Sequence, residues 1–306
     1  MVDHQVIPVP DAMGGKRIDA SLSQLLGLSR SRCADLIDSG AVLVNGQNPV
    51  KSQRLVAGDV LDLRLETLKR APEPTEHLDV LYEDDHVIVI NKPVGVAAHT
   101  GPGWSGPTVL GSLEAAGVSI ATSGPPERKG IVQRLDVGTS GAMMVAKSEV
   151  AYSRLKQAFR DRTVHKTYHA LVEGYPDPVR GTVEAPIGRH PSRTWRMAVL
   201  DGGKHAVTHY DVIEFLPGAA LLEIDLETGR THQIRVHMSA MGHPCVGDVF
   251  YGADPVRAKK LSLDRQWLHA RKLAFKHPVT EEKVSLEAPY PDDLTEALKQ
   301  LEDYGV

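Results

Sequence analysis

A single carboxylate, Asp136, lies in the part of the chain best suited to carry out chemistry. It stands between an apolar run, 130–135, and a turn rich in Gly, Thr and Ser, within Gln133-Arg134-Leu135-Asp136-Val137-Gly138-Thr139-Ser140-Gly141. A second apolar run, 142–146, follows the turn. Because glycine permits close backbone approach and a loop on a rigid strand aims its side chains, we expect a reactive acid at the edge of a sheet. The alternative is that Asp136 only caps its own turn.

A helix that could place polar groups beside such an acid is predicted over residues 231–241. Apolar residues recur with helical spacing, and Gly242 stands where a helix C-terminus favours glycine. The polar residues that share the opposite face of this helix are His232, Arg235 and Ser239. Since arginine stays charged at any physiological pH, we expect Arg235 to hold the Asp136 carboxylate ionised and oriented by a paired, charge-assisted contact.

Fourteen histidines raise the question of a metal site. The pairs His205/His209 and His232/His237 have spacings that a metal site can use, but the sequence contains no His-Glu-x-x-His motif and no cysteine cluster. Neutral, hydrogen-bonded histidines are far commoner in proteins than metal ligands. We therefore expect no metal site.

The composition is typical of a globular protein with two domains. The 306 residues exceed the usual size of one domain, and 42% of them are hydrophobic and 24% charged. The start of the chain lacks the blocks of a signal peptide, and no segment reaches the roughly 20 apolar residues of a membrane span. Two distant cysteines, Cys33 and Cys245, do not indicate a disulfide framework. We expect a cytoplasmic protein without membrane contact, whose net charge of −4 requires any nucleic-acid surface to come from clustered basic residues.

The first part of the chain, residues 13–70, predicts a small domain of two helices and a hairpin. A short amphipathic helix is indicated by the spacing of Ile18, Leu22, Leu25 and Leu26. Ser29 is the predicted N-cap of a second helix that ends before Gly40. Strands are predicted over 42–44 and 60–63, the first closed by an Asn-Gly turn.

A flexible tail, 1–12, is expected before this domain, and a stiff polar linker, 71–77, after it. The remaining residues, 78–306, predict one catalytic domain. It begins with a buried strand at 87–90 and contains a helix at 149–161, after which strands predominate. This order predicts an α+β domain built on a mixed, mainly antiparallel sheet.

Further motifs follow one another along this second part of the chain. They are Asn91-Lys92-Pro93, Lys166 to Gly174, Glu227 to His237, Gly242-His243-Pro244, Gly247-Asp248, Tyr251-Gly252, Leu268-His269-Ala270 and His277-Pro278. With the stretch around Asp136, they closely resemble the RluA-type pseudouridine synthases, which isomerise uridine in ribosomal and transfer RNA. The resemblance covers about residues 78–290. It implies a pseudouridine synthase catalytic domain that works without a cofactor.

The same resemblance implies the catalytic roles. Asp136 matches the family's nucleophilic aspartate, Tyr168 its active-site tyrosine and Arg235 its site arginine. An aspartate can act at the sugar as nucleophile or as base. Tyr168 can stack on the target base and help to remove the proton from carbon 5.

Binding residues are expected around these groups. Because the target base must leave the RNA stack, Arg134 is a candidate to fill the space left behind, with a structural salt bridge as the alternative. Lys92 and His232 are further candidates for contact with the substrate. The chain departs from the family at Gln133, where histidine is usual, which affects contacts beside the flipped base and not the nucleophile.

Residues 13–70 resemble the alpha-L RNA-binding domain of a small-subunit ribosomal protein. The basic residues expected at phosphates are then Arg30, Arg32, Lys51 and Arg54, the alternative being ordinary solvated surface charges. The two-domain arrangement is most similar to the enzymes that modify large-subunit ribosomal RNA. We expect that RNA as the substrate, with transfer RNA as the alternative, and a monomeric enzyme.

Two functions of other classes stay open on the sequence alone. One is an RNA-binding assembly factor whose modification activity is incidental or lost, and the intact set of Asp136, Tyr168 and Arg235 argues against loss. The other is a metal-dependent nucleic-acid hydrolase, which requires sensitivity to chelators.

Overall fold

The chain divides into two compact units, Met1–Glu73 and Pro74–Val306. The computed structural model describes residues 4–26, 30–64, 75–101, 104–192 and 196–304. Within these ranges no helix is both long enough and apolar enough to cross a membrane. The division falls in the predicted linker, of which residues 71–74 lie outside the described ranges, as does the predicted N-cap Ser29.

The N-terminal unit packs two short helices on a three-stranded antiparallel sheet of order β1-β3-β2. Its elements are β1 (His4–Pro8), α1 (Ile18–Leu26), α2 (Arg30–Asp38), β2 (Val42–Val44) and β3 (Val60–Arg64). The core contains the apolar faces predicted from the sequence, including the buried residues Ile18, Leu22, Cys33, Leu36 and Ile37. The two helices and the β2–β3 pair are therefore confirmed.

The prediction of a flexible tail over residues 1–12 is wrong for the described part of that segment. β1 pairs with β3 along its whole length, and Ile7 packs against the core. The amide of Val9, which is buried, donates to the carbonyl of Asp59 at 2.7 Å. A bare edge of β3 would leave backbone groups unpaired, so a short apolar segment there gains both hydrogen bonds and burial.

The second unit contains a nine-stranded sheet with helices packed around it. Its strands are β4 (Asp79–Glu83), β5 (Val87–Lys92), β6 (Ser140–Ala146), β7 (His165–Glu173), β8 (Arg180–Glu184), β9 (Ile187–Arg189), β10 (Met197–Val199), β11 (Val207–Leu216), β12 (Ala219–Leu226), β13 (Leu268–Lys276) and β14 (Lys283–Glu287). Its helices are α3 (Val109–Ala115), α4 (Glu149–Arg160), α5 (Gln233–Ala240), α6 (Pro255–Lys260) and α7 (Asp292–Tyr304). β9 and β10 form a separate hairpin.

The large sheet has the order β4-β5-β6-β13-β7-β12-β11-β8, with β14 also paired to β13. Only β6 and β13 run parallel among its described strand pairs, so the predicted mixed, mainly antiparallel sheet is confirmed. Successive residues of β6 serve opposite faces, since Met143 packs in one apolar cluster and Met144 in another. The loop before β6 is thereby fixed to a strand that is buried on both sides.

Candidate active site

Asp136 lies in a tight loop between the buried Leu135 and the start of β6. The amide of Thr139 donates to the carbonyl of Asp136 at 3.0 Å, which closes the turn. Gly141 has a φ of +115°, and a Cβ there would lie 2.3 Å from the carbonyl oxygen of Ala270 on β13. Glycine is therefore required for the close approach of the two strands just beyond the loop. The Asp136 side chain is 19% exposed, so its carboxylate is within reach of a substrate.

The guanidinium of Arg235 on α5 is held by Asp248. Nε and Nη2 donate to the two carboxylate oxygens at 2.6 and 2.9 Å, and the Asp248 side chain is 1% exposed. Nη1 of Arg235 lies 3.7 Å from Oδ2 of Asp136. Burial lowers the pKa of Arg235 and the paired Asp248 raises it, with a net rise. The predicted neighbours Arg235 and Asp136 are thus brought together, but the direct partner of the guanidinium is Asp248.

The polar face predicted for α5 packs on the turn Asp248–Tyr251. Nδ1 of His232 lies 2.8 Å from the Tyr251 hydroxyl, and the Ser239 hydroxyl donates to the Tyr251 carbonyl at 2.6 Å. His232 precedes the helix with a φ of 56°, and its Nε2 lies 3.8 Å from Asp136. Burial lowers the pKa of His232, although the charge of Asp136 acts to raise it. The predicted helix over 231–241 is therefore slightly shorter, and its predicted polar face is confirmed.

Tyr168 lies on β7, buried in the main apolar cluster. Burial, and next the charge of Asp136, raise the pKa of its phenol, which is therefore protonated at physiological pH. The next residue, His169, points to the opposite side of the strand, where Nδ1 meets the Tyr290 hydroxyl. Of the two residues, only Tyr168 lines the cavity at Asp136.

Two adjoining cavities open at these side chains. The smaller, of about 70 Å³, is lined by Asp136, Tyr168, His232 and Arg235 among others. The larger, of about 680 Å³, shares Tyr168, Arg134 and Arg230 with it. The basic residues that line the larger cavity are Arg128, Arg134, Lys156, Arg160, Arg162, Lys166 and Arg230. Among the described residues its one lining acid is Glu227, which pairs with Arg162 and His209, so the cavity favours a polyanion despite the negative net charge.

Arg134 and Gln133 border both the loop and the larger cavity. Arg134 is exposed and lines both cavities, and among the described residues it has no ion-pair or hydrogen-bond partner. That finding opposes the structural salt bridge considered from the sequence. Gln133 also lines the larger cavity, and its buried Nε2 has no hydrogen-bond partner among the described residues.

The structure corrects the substrate-binding role expected for Lys92. This side chain is fully buried, and Nζ donates to the carbonyls of Pro93 and Val96 at 2.8 Å each. A longer contact, 3.5 Å, reaches the carbonyl of Val137 beside Asp136. Burial lowers its pKa to about 7. Lys92 therefore ties two loops together behind the site, where no substrate can reach it.

The basic residues predicted to bind RNA in the N-terminal unit are partly engaged with acids. Arg30 contacts Asp19 at 2.9 Å and Lys51 contacts Asp38 at 2.5 Å, yet both cations are about half exposed. The side chain of Arg32 lies outside the described residues. A phosphate contact by Arg30 or Lys51 therefore stays a prediction.

The histidines considered as metal ligands are hydrogen-bonded to protein groups. His205 meets Glu184, His209 meets Glu227 and Thr182, and His237 meets Thr208 and the Ala185 carbonyl. Within the described ranges no group of three His, Cys, Asp or Glu residues could hold a metal ion.

Sequence reasoning missed the contacts that Asp248 and Tyr251 make at the candidate site, and it missed the basic cavity wall. The Gly247-Asp248 and Tyr251-Gly252 pairs were visible as motifs, but nothing in their spacing indicated that they orient Arg235 and His232. The basic residues of the wall are spread between Arg128 and Arg230, so only folding makes them a cluster.

Comparison with known proteins identifies this arrangement. A family model described as RNA pseudouridylate synthase matches residues 86–240, and an S4 domain model matches residues 16–61. The chain belongs to the RNA pseudouridylate synthase family and carries an N-terminal S4 domain, as the sequence motifs predicted. It is an enzyme of the pseudouridine synthase class.

Individual relatives match along most of the chain. An uncharacterised RNA pseudouridine synthase of Mycobacterium bovis is 55% identical over 98% of both chains. Ribosomal large subunit pseudouridine synthase D of Xanthomonas campestris is 40% identical over 96% of this chain and 92% of its own. The solved structure of human RNA pseudouridylate synthase domain containing 1 has a TM-score of 0.58 at 29% identity, covering 71% of this chain and 84% of its own.

Proposed function

We propose that this enzyme converts specific uridines of large-subunit ribosomal RNA to pseudouridine, using Asp136 and no cofactor. The observation that carries the proposal is the placement of Asp136 in a small cavity beside Arg235 and His232, at the end of a wide basic cavity. In the small cavity the Asp136 carboxylate can contact one nucleotide. The positive side chains of the larger, basic cavity can bind the adjoining phosphates.

The reaction is an isomerisation, so the product has the same composition as the substrate. The bond between N1 of uracil and C1′ of ribose breaks, the base rotates, and C5 bonds to C1′. The C5 proton leaves and N1 takes up a proton. The carboxylate of Asp136 acts at the sugar, either as nucleophile on C1′ or as a base at the ribose. Arg235, oriented by Asp248, supplies a fixed positive charge beside that carboxylate.

Tyr168 is assigned to the base. Its ring lines the small cavity and can stack on the uracil. Because its phenol is protonated, the oxygen can accept the C5 proton only as its own proton passes on, and the nearby Asp136 carboxylate is a suitable acceptor. Arg134, exposed at the junction of the two cavities, is assigned to the space that the flipped nucleotide leaves.

The proposal of ribosomal RNA rests on the relatives and on the N-terminal domain. Synthase D of Xanthomonas campestris, named for the large ribosomal subunit, matches nearly the whole chain, S4 domain included. We assign phosphate contacts to Arg30, Arg32 and Lys51 of that domain, and a monomeric state in the cytoplasm to the enzyme.

The test is a tritium-release assay on RNA transcribed with [5-³H]uridine, since each pseudouridine formed releases one C5 hydrogen. Purified enzyme acts on deproteinised large-subunit ribosomal RNA, with a mixture of transfer RNAs and small-subunit RNA as comparison substrates. We expect release from the large-subunit RNA at defined uridines and none with Asp136→Asn. Release from transfer RNA alone overturns the substrate assignment. Release that depends on an added metal overturns the cofactor-free mechanism.

A further inference from the structure

The loop that carries Asp136 is held from behind by a buried cation, Arg265. Its Nη1 donates to the carbonyl of Gly138 at 3.1 Å and to the Ser140 hydroxyl at 3.2 Å. The Arg265 side chain is 6% exposed and lines neither of the two cavities. It therefore contacts the loop without access to the substrate.

Arg265 is itself fixed by the first turn of α7. Nε and Nη2 donate to the two carboxylate oxygens of Asp293 at 2.6 and 2.9 Å. A paired, two-point contact with a carboxylate sets both the position and the plane of a guanidinium. Because a buried cation is costly without such a partner, Asp293 determines where Arg265 can meet the loop.

A second set of hydrogen bonds joins the same loop, through His269 on β13, to Ala288 just after β14. The Ser140 hydroxyl lies 2.9 Å from Nδ1 of His269, whose Nε2 lies 3.2 Å from the carbonyl of Ala288. A carbonyl only accepts, so Nε2 of the neutral ring carries the proton and Nδ1 accepts from Ser140. Burial lowers the pKa of His269 to about 4, which keeps the ring neutral. Each group therefore donates to the next one: Arg265 to Ser140, Ser140 to His269, and His269 to the carbonyl of Ala288.

We propose that Arg265, oriented by Asp293, is a positioning residue that fixes the carboxylate of Asp136 for the reaction. This inference rests on the proposed function of Asp136. Arg265 and Asp293 lie beyond residues 86–240, which the family model matches. A displacement of about 1 Å at a reacting group can lower a rate on the order of 100-fold. A loop anchored at Gly138 and Ser140, two and four residues after Asp136, restricts that displacement.

The chain offers a matched control in Arg271. Arg271 lies on β13, pairs with Glu287 and donates to the Ala288 carbonyl, which His269 also contacts, but among the described residues it makes no direct contact with the Asp136 loop. Glu287→Gln therefore loosens the same part of the chain and leaves both contacts of Arg265 with the loop in place. Asp293→Asn and Arg265→Lys release the loop, and Ser140→Ala removes one of its contacts without a change of charge.

The experiment measures three quantities in the full-length enzyme: the single-turnover rate at saturating enzyme, the Kd for RNA, and amide hydrogen exchange in the peptide that covers 133–141. We expect Asp293→Asn and Arg265→Lys to lower the rate about 10- to 100-fold, to change the Kd less than about threefold, and to speed exchange in that peptide. The double variant should be no slower than the slower single variant, because both remove one anchor. Asp293→Glu should recover most of the rate.

The proposal is overturned if folded Asp293→Asn has the wild-type single-turnover rate and the wild-type amide exchange in 133–141. It is also overturned if Glu287→Gln loses as much rate as Asp293→Asn. If Arg265→Lys does not fold, Asp293→Asn and Ser140→Ala decide the outcome alone. Hydrogen exchange needs no activity, so a wild-type enzyme that releases no tritium refutes the proposed function, and the exchange data still test the anchor.

Discussion

Nη1 of Arg235 lies 3.7 Å from Oδ2 of Asp136, which is beyond hydrogen-bond distance, while the other nitrogens of the guanidinium bind Asp248. The positive charge is therefore near the Asp136 carboxylate without occupying its lone pairs. A carboxylate in a direct two-point pair would have to break that pair before it could attack a sugar. Asp136 keeps both oxygens available, and Asp248 keeps the cation from moving onto it.

Asp136→Asn should fold normally and lose activity by about 10⁴-fold or more, because the amide has nearly the same shape but is neither a nucleophile nor a base. The measurement is single-turnover tritium release. Asp211→Asn, an exposed acid on β11, serves as the control and should retain the wild-type rate. Appreciable turnover by Asp136→Asn, free of contaminating enzyme, contradicts the assignment.

Asp248→Asn should lower the single-turnover rate on the order of 100-fold, because Arg235 loses its fixed orientation. Removal of one partner of a buried ion pair should also lower the free energy of unfolding by about 3 kcal/mol. Asp84→Asn is the control that separates lost stability from lost rate. Asp84 follows β4 and contacts the buried His277, and it lines neither cavity. That control should lose stability and keep its rate. Equal rates in the two variants would show that Arg235 needs no orientation by Asp248.

Tyr168→Phe should bind RNA with a Kd within about threefold of wild type, because the stacking ring is kept. Tritium release should fall about 100-fold or more, because the hydroxyl that passes on the C5 proton is gone. Tyr168→Leu, which removes the ring as well, should weaken both. A Phe variant with the wild-type rate assigns the C5 proton to another group.

Lys156→Gln and Arg160→Gln should each weaken RNA binding and reduce the slope of log K against log salt by about 1, because each removes one phosphate contact. Filter binding between low and high salt gives the slope. Lys259→Gln on α6 removes the same charge from outside the basic cavity and should leave the slope unchanged. The same slope in all three variants would place the RNA elsewhere.

Stability should depend on pH through Lys92. The unfolded lysine keeps its proton up to about pH 10, whereas burial lowers the folded pKa to about 7. Between these values the unfolded chain binds more protons, so the stability of wild type relative to Lys92→Met should rise with pH by about 1 kcal/mol per pH unit. Below pH 7 the difference should be constant. Urea unfolding at several pH values measures this difference in the free energy of unfolding between wild type and Lys92→Met. A difference that does not change with pH would indicate that Lys92 is hydrated.

Much of the fold could be predicted from the pattern of apolar residues and turn residues within short stretches of the sequence. The spacing of Ile234 and Met238 predicted α5 and its buried face, and the acid in front of a glycine-containing turn predicted the accessible carboxylate at Asp136. Lys92 shows where such reasoning fails. A lysine next to a proline predicts a surface cation. Lys92 is buried instead, because the carbonyls that accept from its Nζ come from two loops, one after β5 and one after Asp136, that meet only in the folded protein.

Long-range contacts account for the other differences. The partner of Arg235 is 13 positions away on a different element, and the wall of the basic cavity draws on segments from Arg128 to Arg230. β1 became a strand because β3, far along the chain, offered an open edge. Periodicity within a window contains no information on these pairings.

The position of β13 in the sheet has a consequence for the assembly of the candidate active site. β6, which follows the Asp136 loop, and β7, which carries Tyr168, share no hydrogen bonds, since β13 lies between them and pairs with both. β13 spans Leu268–Lys276 and follows both strands in the chain. Without β13 the two parts of the sheet would share no strand pair, and Asp136 and Tyr168 belong to different parts. The register of β13 against its two neighbours therefore determines the spacing between the Asp136 loop and Tyr168.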